Sequence, residues 1–413
     1  MTVEVDSNFK LGICSIFKNE GPYILEWLAY HRVIGVDEFF IADNDSTDNG
    51  KELLLALSDL GLIRLLPFPT PSDRAPQLPA YATLMEKNSA SVDWVAFIDA
   101  DEFLIPAQGQ VKLAIERIVS NNSSIGAIAV NWASYGSSKL KEFDTAPVIG
   151  RFQGRGEQEF GVNKHYKSIV KVSAYAGTDE NPHLFQLKPN YIYVATSGRP
   201  LTQAPESIKG LSDDVCWEHL RLNHYIIKSY GEFLYKKSRG RATVKNNPRL
   251  DRDINFFNAH DVNQVTEAFN SELLERTCAE IEHLKNVLSA SGIPHNIINA
   301  KPPKIPSISV TIDKVECARY LTIIGWAFAD DHSNLSFSLG INGEDYTFDS
   351  VEAIIREDVA KHVVGAPSNS GFSCKINLDK IGSTVQLADP VLRVHAKGHM
   401  RAVSIDKLSS IDR

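Results

Sequence analysis

Residues 94–106, WVAFIDADEFLIP, combine a strongly apolar segment with a cluster of acidic residues. An apolar run of strand-forming residues ends there in Asp99, Asp101 and Glu102. Side chains two residues apart on an extended chain point to the same face, so Asp99 and Asp101 are expected to lie side by side. Like charges at the end of a buried strand need a counter-charge, and a divalent cation with oxygen ligands is the simplest one. The alternative is that Asp101 and Glu102 cap the next turn and face water.

The first hundred residues alternate between apolar strands and helical segments. Strands are predicted at residues 11–17, 37–42 and 62–66, and helices at residues 23–33, 51–60 and 77–90. This alternation is typical of an α/β domain with a parallel sheet covered by helices. Ligands bind beyond the carboxyl ends of the strands in such a sheet. We therefore expect the polar segments at residues 18–20, 43–48 and 99–102 to converge on one crevice.

Composition restricts the partners and the compartment. The chain has 413 residues, with 51 acidic residues against 43 basic ones and a net charge of -8, so nucleic acid is not an expected partner. Its five cysteines show no zinc-binding spacing, which favours a reducing compartment. No segment approaches the ~20 apolar residues of a membrane span. We expect a cytoplasmic protein, with peripheral contact at the inner face of the membrane left open.

The sequence pattern changes after residue 260. Residues 261–294 form a helical segment with one apolar seam, which packs on the preceding domain or forms a homo-oligomer interface. Residues 295–309 contain three prolines within five residues and predict a stiff linker. Residues 310–413 consist of short alternating segments separated by Gly, Asn and Asp turns. They predict a small all-β sandwich domain.

Three groups of motifs resemble one enzyme family. They are CSIFKNEGPYILEWLAYHRVIGVDEFFIADNDSTDNG, FIDADEF and NHYIIKSYGEFLYKKSRG, in this order. The sequence resembles the glycosyltransferase family 2-like enzymes related to family 92, which have a GT-A fold. This resemblance implies that residues 1–260 form a metal-dependent, inverting glycosyltransferase domain. The implied donor is a nucleotide sugar, a UDP-hexose with UDP-galactose first, and the implied acceptor is a glycan of a bacterial surface polysaccharide or lipopolysaccharide.

The resemblance also implies roles on the donor side. Asp101, and Asp99 directly or through water, would hold Mn²⁺ or Mg²⁺, with His224 as a third ligand or a phosphate contact. Lys228 would balance the diphosphate charge, on one helical face with His224 at spacing i, i+4. The base and ribose would contact polar residues at the first two strand ends, namely Lys18, Asn19, Glu20, Asp43, Asn44 and Ser46. The alternative for residues 44–48 is a capping turn.

Acceptor-side residues follow the acidic strand. Trp132 and Tyr135 would stack on a sugar ring, or else pack in the core. The resemblance places His183 in a turn near the same site. Lys236, Lys237, Arg239 and Arg241 form the most basic patch of the chain, which either extends the diphosphate site or ends a helix in solvent.

An inverting transfer needs a general base near the acceptor hydroxyl. The candidate carboxylates are Glu157, Glu159, Asp213, Asp214 and Glu218. Glu159 is preferred because it lies between the acceptor-side segment and the next strand, and the alternative for each is a solvated loop carboxylate. The chain has Gly150 before Arg151 where the family pattern has Glu, so no base is assigned there.

Two other classes of protein remain open. The segment IIGWAF and Ser370 to Phe372 resemble a β-sandwich module appended to bacterial glycosyltransferases, so a non-catalytic glycan-binding protein is one alternative. Such a module would bind glycan, hold partners or stabilise a dimer. A phosphohydrolase with an aspartyl nucleophile is the other, but Phe103 stands where those enzymes have Thr or Val.

Overall fold

The chain folds into two compact units, Met1–Pro303 and Lys304–Arg413. The computed structural model describes residues 9–120, 122–202, 210–238, 254–302, 308–329, 333–341, 344–363, 365–381, 390–396 and 399–405. Within these residues, no helix is both long and apolar enough to cross a membrane.

A mixed, mostly parallel sheet forms the centre of the first unit. The strands of this unit in chain order are β1 (Leu11–Phe17), β2 (Glu38–Asp43), β3 (Arg64–Pro67), β4 (Trp94–Phe97), β5 (Glu102–Pro106), β6 (Ile125–Ser134), β7 (Gly154–Arg155), β8 (Tyr166–Lys171), β9 (Tyr175–Thr178), β10 (Phe185–Leu187), β11 (Ile192–Ala195), β12 (Leu220–His224) and β13 (Val265–Thr266). Of these, β9 pairs with β10 and β7 with β13 in two small sheets of their own. The main sheet has the order β3-β2-β1-β4-β8-β6-β12-β5, with β11 beside β6. Strand β1 pairs in parallel with β2 and β4, and β2 pairs in parallel with β3. The expected α/β fold class is confirmed.

Helices pack on this sheet and shape the end of β4. They are α1 (Ile24–Val33), α2 (Gly50–Asp59), α3 (Gln77–Asn88), α4 (Val111–Val119), α5 (Val148–Arg151), α6 (Tyr230–Ser238), α7 (Ile254–His260), α8 (Ser271–Ala290) and α9 (His295–Ile298). The buried Trp27 of α1 donates from Nε1 to the backbone oxygens of Asp99 at 3.2 Å and Glu102 at 3.0 Å. Helix α1 therefore fixes the acidic turn between β4 and β5.

The second unit contains two antiparallel sheets. Its strands are β14 (Ile308–Cys317), β15 (Tyr320–Ala329), β16 (Ser336–Ile341), β17 (Glu344–Thr347), β18 (Ser350–Ile354), β19 (Gly371–Asn377), β20 (Val391–Ala396) and β21 (His399–Ser404), with helix α10 (Glu357–His362). One sheet has the order β14-β15-β19-β18 and the other β17-β16-β20-β21. Buried Leu321 and Phe372 of the first sheet and Leu339 and Leu392 of the second belong to one apolar core. The expected additional all-β region is confirmed.

The connection between the two units starts differently from the predicted linker. Residues His295–Ile298, at the start of that segment, form helix α9, which begins directly after Pro294. Proline is compatible with a helix start because its fixed φ suits the position and its missing N–H is not needed there. Residues 303–307 lie outside the described residues, and β14 begins at Ile308.

Candidate active site

A cavity of about 470 Å³ lies at the carboxyl edge of β1 and β4. Its lining includes residues predicted to bind the donor nucleotide, the metal ion and the acceptor. They are Lys18 and Glu20 for the donor, Asp99, Asp101 and His224 for the metal, and Trp132 and His183 for the acceptor. Two of the three predicted polar segments, residues 18–20 and 99–102, thus contribute to one crevice. A second cavity of about 550 Å³, lined by Arg32, Asp37 and Arg64 among others, contains none of the predicted residues.

Asp99 is held by polar side chains on both carboxylate oxygens. Its Oδ2 accepts from the Lys167 ammonium at 2.9 Å, and its Oδ1 accepts from Gln77 Nε2 at 2.9 Å. Strand β8 brings Lys167 to the turn, because its antiparallel pairing with β4 sets Ile169 opposite Ala96. Burial would raise the pKa of Asp99, but Lys167 outweighs burial and lowers it. Asp99 is therefore an ionised carboxylate that is one-third exposed, at 33%.

Asp101 is more deeply buried and has its own lysine. Its Oδ2 accepts a hydrogen bond from the Lys236 ammonium and lies 3.6 Å from His224 Nε2. Burial would raise the pKa of Asp101, but Lys236 and His224 together hold it well below its ordinary value. Asp101 is 5% exposed, so the alternative in which it caps a turn and faces water is wrong.

Glu102 has a structural place in β5. Its side chain is fully buried, and its Oε2 accepts from the backbone N–H of Asp99 at 2.7 Å. Burial raises the pKa of Glu102 well above its ordinary value. Its water-facing capping role is likewise wrong. The carboxylates of the motif that line the cavity are Asp99 and Asp101.

His224 and Lys228 do not share a helical face, so that prediction is wrong. His224 ends strand β12, opposite Glu102 of β5 and Ser134 of β6, and helix α6 begins only at Tyr230. The segment LRLNH, which mixes apolar and polar residues, forms a strand because it pairs with β5 on one side and with β6 on the other. Burial lowers the pKa of His224, which keeps its imidazole neutral and suited to metal binding.

Lys228 lies outside the lining of the cavity. It adopts a φ of 56° in the turn between β12 and α6, and its ammonium lies 4.2 Å from the centre of the Tyr23 ring. It still contributes to the low pKa of Asp101 through its charge. Lys228 therefore acts on the site electrostatically, while Lys236 contacts it.

Only one of the two predicted donor-side loops contributes to the cavity. Lys18 and Glu20 line the cavity, whereas residues 43–48 after β2 do not line it and are hydrogen-bonded largely to neighbouring segments. Asn19 connects the loops, since its backbone N–H donates to Ser46 Oγ at 3.0 Å and its Oδ1 accepts from Thr47 N at 2.6 Å. The remaining two predicted residues are also held within the protein. Asp43 Oδ1 accepts from Ser46 N at 3.4 Å, and Asn44 Nδ2 donates to the Phe68 backbone oxygen at 3.0 Å.

On the acceptor side, Trp132 and His183 line the cavity and Tyr135 does not. The Trp132 ring lies 4.2 Å from the His224 ring and 5.5 Å from the His183 ring, centre to centre. Tyr135 is 2% exposed and packs against Tyr225 at 4.7 Å, so its place is in the core. The binding role predicted for Tyr135 is not supported by this position.

None of the five candidate bases lines the cavity. Glu159, Asp214 and Glu218 are all exposed, and Glu218 lies 4.0 Å from Arg199. Imidazoles line the cavity instead. His183 Nδ1 lies 2.6 Å from the Tyr166 backbone oxygen, and burial together with Lys167 lowers the pKa of His183 to about 3.

Several lining residues were not predicted from the sequence, namely Gln77, His165, Lys167 and His260. Lys167 offered only a weak signal, because the strand YKSIVK also contains Ser168 and Lys171, although a fully buried lysine needs a partner. Lys236 belonged to the predicted basic patch, but only the fold shows that α6 turns this lysine towards Asp101. Arg239 and Arg241 of that patch lie outside the described residues.

The metal-binding potential of the cavity resides in a pair of ligands. Among the described residues, no group of three or more His, Cys, Asp and Glu side chains is placed to hold a metal ion. Asp101 and His224 nevertheless offer a carboxylate oxygen and an imidazole nitrogen 3.6 Å apart. Ions that act on phosphates are often held by one or two protein ligands, with phosphate oxygens and water completing the shell. The residues present therefore fit a divalent cation shared with a diphosphate.

Comparison with known proteins confirms the resemblance seen in the motifs. Residues 8–193 match the family model described as glycosyltransferase family 92. A family 92 protein of Ricinus communis is 29% identical over 184 residues, which cover 44% of this chain and 32% of that protein. A family 92 protein of Oryza sativa subsp. japonica is 30% identical over 183 residues, covering 44% of this chain and 30% of that protein. The chain thus spans about a third of the length of these relatives.

Two solved structures show partial similarity to this chain. Staphylococcus aureus TarS overlaps 96% of this chain and 77% of its own, with a TM-score of 0.31 and 10% identity. Glucosyl-3-phosphoglycerate synthase from Mycobacterium tuberculosis overlaps 31% of this chain and 45% of its own, with a TM-score of 0.22 and 17% identity. Neither overlap supports a residue-by-residue correspondence.

Proposed function

We propose that this protein transfers a sugar from a nucleotide-sugar donor to a hydroxyl group of a glycan, with inversion at the transferred carbon. One observation carries the proposal: Asp99, Asp101 and His224 meet in a cavity at the carboxyl edge of a parallel sheet. This edge is where such folds bind their ligands. The family 92 match of residues 8–193 supports the same reaction.

The donor nucleotide lies at the end of β1 in this proposal. Lys18 and Glu20 line the cavity there, and the hydrogen bonds of Asn19 with Ser46 and Thr47 hold the two adjoining loops in place. The motif resemblance favours a UDP-hexose, with UDP-galactose first. TarS is described in complex with UDP and the mycobacterial synthase with Mn²⁺ and UDP-glucose, so these are suitable first probes.

Asp101 and His224 would hold a divalent cation, Mn²⁺ or Mg²⁺, with Asp99 reaching it directly or through water. When bound, such an ion supplies positive charge for the departing nucleoside diphosphate. The buried position of Asp101, at 5% exposure, excludes bulk water from that interaction. Electrostatic interactions are stronger in such a water-poor site.

The acceptor hydroxyl would give its proton to His183. Because His183 Nδ1 lies 2.6 Å from a backbone oxygen, this nitrogen carries the hydrogen and Nε2 has the lone pair. Burial and Lys167 lower the pKa of His183 to about 3, so the ring is neutral at pH 7 and the Nε2 lone pair carries no proton. Trp132, which packs beside His183, would provide an aromatic face for the acceptor sugar.

The identity of the acceptor rests on the motif resemblance. A glycan of a bacterial surface polysaccharide or lipopolysaccharide is our first candidate, while the curated relatives come from plants. A screen should therefore include plant cell-wall oligosaccharides as well as bacterial ones.

Thermal unfolding with a panel of nucleotide sugars, with and without Mn²⁺, tests the proposal. We expect a UDP-hexose to stabilise the protein only when Mn²⁺ is present. A ligand at 100 times its dissociation constant adds about 2.7 kcal/mol to the unfolding free energy. The Asp101→Ala variant should lose the response, whereas Asp59→Asn, at an exposed helix end, should keep it.

No response to any nucleotide would refute the proposal. Stabilisation by oligosaccharides alone, independent of metal and nucleotide, would support the non-catalytic glycan-binding alternative instead.

A further inference from the structure

The ammonium of Lys236 donates a hydrogen bond to the Asp101 oxygen that faces His224. Its side chain is 8% exposed, and Nζ donates to Asp101 Oδ2 and to the Ile226 backbone oxygen at 2.7 Å. The same Asp101 oxygen lies 3.6 Å from His224 Nε2. A metal ion bound between Asp101 and His224 would therefore compete with the Lys236 ammonium for this oxygen.

Each carboxylate of the acidic turn that lines the cavity already has an ammonium partner. Asp99 pairs with Lys167 at 2.9 Å, and Asp101 pairs with Lys236. A divalent cation added to this arrangement would lie next to a buried ammonium, and like charges repel strongly where water is scarce. Entry of the ion consequently requires Lys236 to leave Asp101.

A displaced ammonium needs another anion, because an unpaired buried charge is costly. Lys236 lines the same cavity as Lys18 and Glu20, so it remains within the space assigned to the donor. The diphosphate of a nucleotide is the anion that would enter this space together with the ion. Lysine is a common phosphate ligand because its ammonium acts as a compact point charge.

We propose that Lys236 is the resident counter-ion of Asp101 and exchanges this carboxylate for the donor diphosphate when a divalent cation binds. Cation and nucleotide then bind cooperatively, because each removes the obstacle to the other. This inference rests on the proposed function. It assigns Lys236 a positioning role that ties metal binding to donor binding.

Calorimetric titration of Mn²⁺ into the full-length protein, with and without saturating UDP, tests the inference. In the wild-type protein, UDP should tighten Mn²⁺ binding at least about tenfold, and each factor of ten corresponds to about 1.4 kcal/mol of coupling. In Lys236→Met, Mn²⁺ alone should bind about tenfold more tightly than to the wild type, and the coupling to UDP should fall. Lys237→Met is the matched control, since Lys237 does not line the cavity, and should behave like the wild type.

A Lys236→Arg variant gives the opposite expectation and guards against misfolding of the methionine variant. The arginine guanidinium keeps the positive charge and can donate two hydrogen bonds to a carboxylate. Mn²⁺ alone should therefore bind no more tightly than to the wild type, and tenfold tighter binding would overturn the inference. Unchanged Mn²⁺ affinity and coupling in a folded Lys236→Met would overturn it too. A wild-type protein that binds no UDP under any condition would refute the proposed function, and the inference with it.

Discussion

Two acidic strand ends of this protein look alike in sequence and differ in what their carboxylates do. After β2, Asp48 accepts from the backbone N–H groups of Gly21 and Gly50, both at 2.9 Å. After β4, Asp99 and Asp101 pair with the lysines Lys167 and Lys236 in a cavity. Backbone amides cannot leave without unfolding a loop, whereas an ammonium can exchange partners. The first loop is therefore built for rigidity, and the second can bind ligands.

The largest expected effect comes from Asp101→Asn. Removing the charge of Asp101 should lower the turnover of a UDP-hexose about a thousandfold, because a single charge-stabilising group contributes about 10²–10³ in rate. UDP release in the presence of Mn²⁺ measures it, and circular dichroism checks that the variant is folded. Turnover within threefold of the wild type would place the reaction elsewhere.

His183→Asn should have the next largest effect. A general base contributes about 10²–10⁴ in rate, so we expect turnover to fall about a hundredfold while the affinity for UDP with Mn²⁺ stays the same. The comparison of turnover with UDP affinity separates a catalytic role from a binding one. If UDP affinity falls in parallel, His183 belongs to the donor site.

Asp48→Ala tests the structural side of the comparison. The substitution leaves the N–H groups of Gly21 and Gly50 and the hydroxyl of Tyr235 without this acceptor. We expect the unfolding free energy to fall by about 1–3 kcal/mol in a urea titration. UDP affinity should change less than threefold, and a complete loss of UDP binding with unaltered stability would reverse the assignment of the two loops.

Glu26 adds a buried carboxyl that is also held by backbone amides. It accepts from Val148 N at 2.8 Å and Ile149 N at 3.0 Å, and burial raises its pKa to about 7. A raised folded-state pKa stabilises the protein at pH values below the unfolded pKa, and this stability is lost as the pH rises towards 7. The contribution of Glu26 to stability should therefore decline from about pH 4.5 to pH 7, by up to about 3 kcal/mol. Urea titrations across this range should show the stability of the wild type falling relative to that of Glu26→Gln as the pH rises.

The smallest effects are expected at the exposed carboxylates. Glu159→Gln, Asp214→Asn and Glu218→Gln should each change turnover less than threefold, because none of these residues lines the cavity. Kinetic assays with UDP-hexose donors would measure this. A hundredfold loss in one of them would identify it as the base and exclude His183 from that role.

The sequence predicted the parts of this architecture that depend on local patterns. Apolar strands alternating with helical segments indicate the parallel sheet, and the polar residues at their ends indicate its ligand-binding edge. The D-x-D spacing was informative because it places Asp99 and Asp101 directly after a buried strand. The family motifs added His224, which no local pattern connects with a turn 123 residues earlier in the chain.

The remaining features depend on long-range pairing. NHYIIKS has helical spacing, but pairing of β12 with β5 and β6 imposes an extended conformation on His224. Tertiary pairing regularly overrides local propensity in this way. The partners of Asp99 and Asp101 come from β8 and α6, and no sequence pattern shows which lysine reaches which carboxylate. The same limit explains why exposed carboxylates were preferred as bases over His183.

A crystal structure with Mn²⁺ and UDP bound would show whether the ion binds Asp101 and His224 and whether Lys236 leaves Asp101 for the diphosphate. Anomalous scattering from manganese locates the ion without reference to the protein atoms. The account predicts an ion in contact with Asp101 and His224, with the UDP diphosphate beside it and Lys236 turned from Asp101 to a phosphate oxygen. An ion and nucleotide bound outside this cavity, with the Lys236 to Asp101 contact intact, would contradict it.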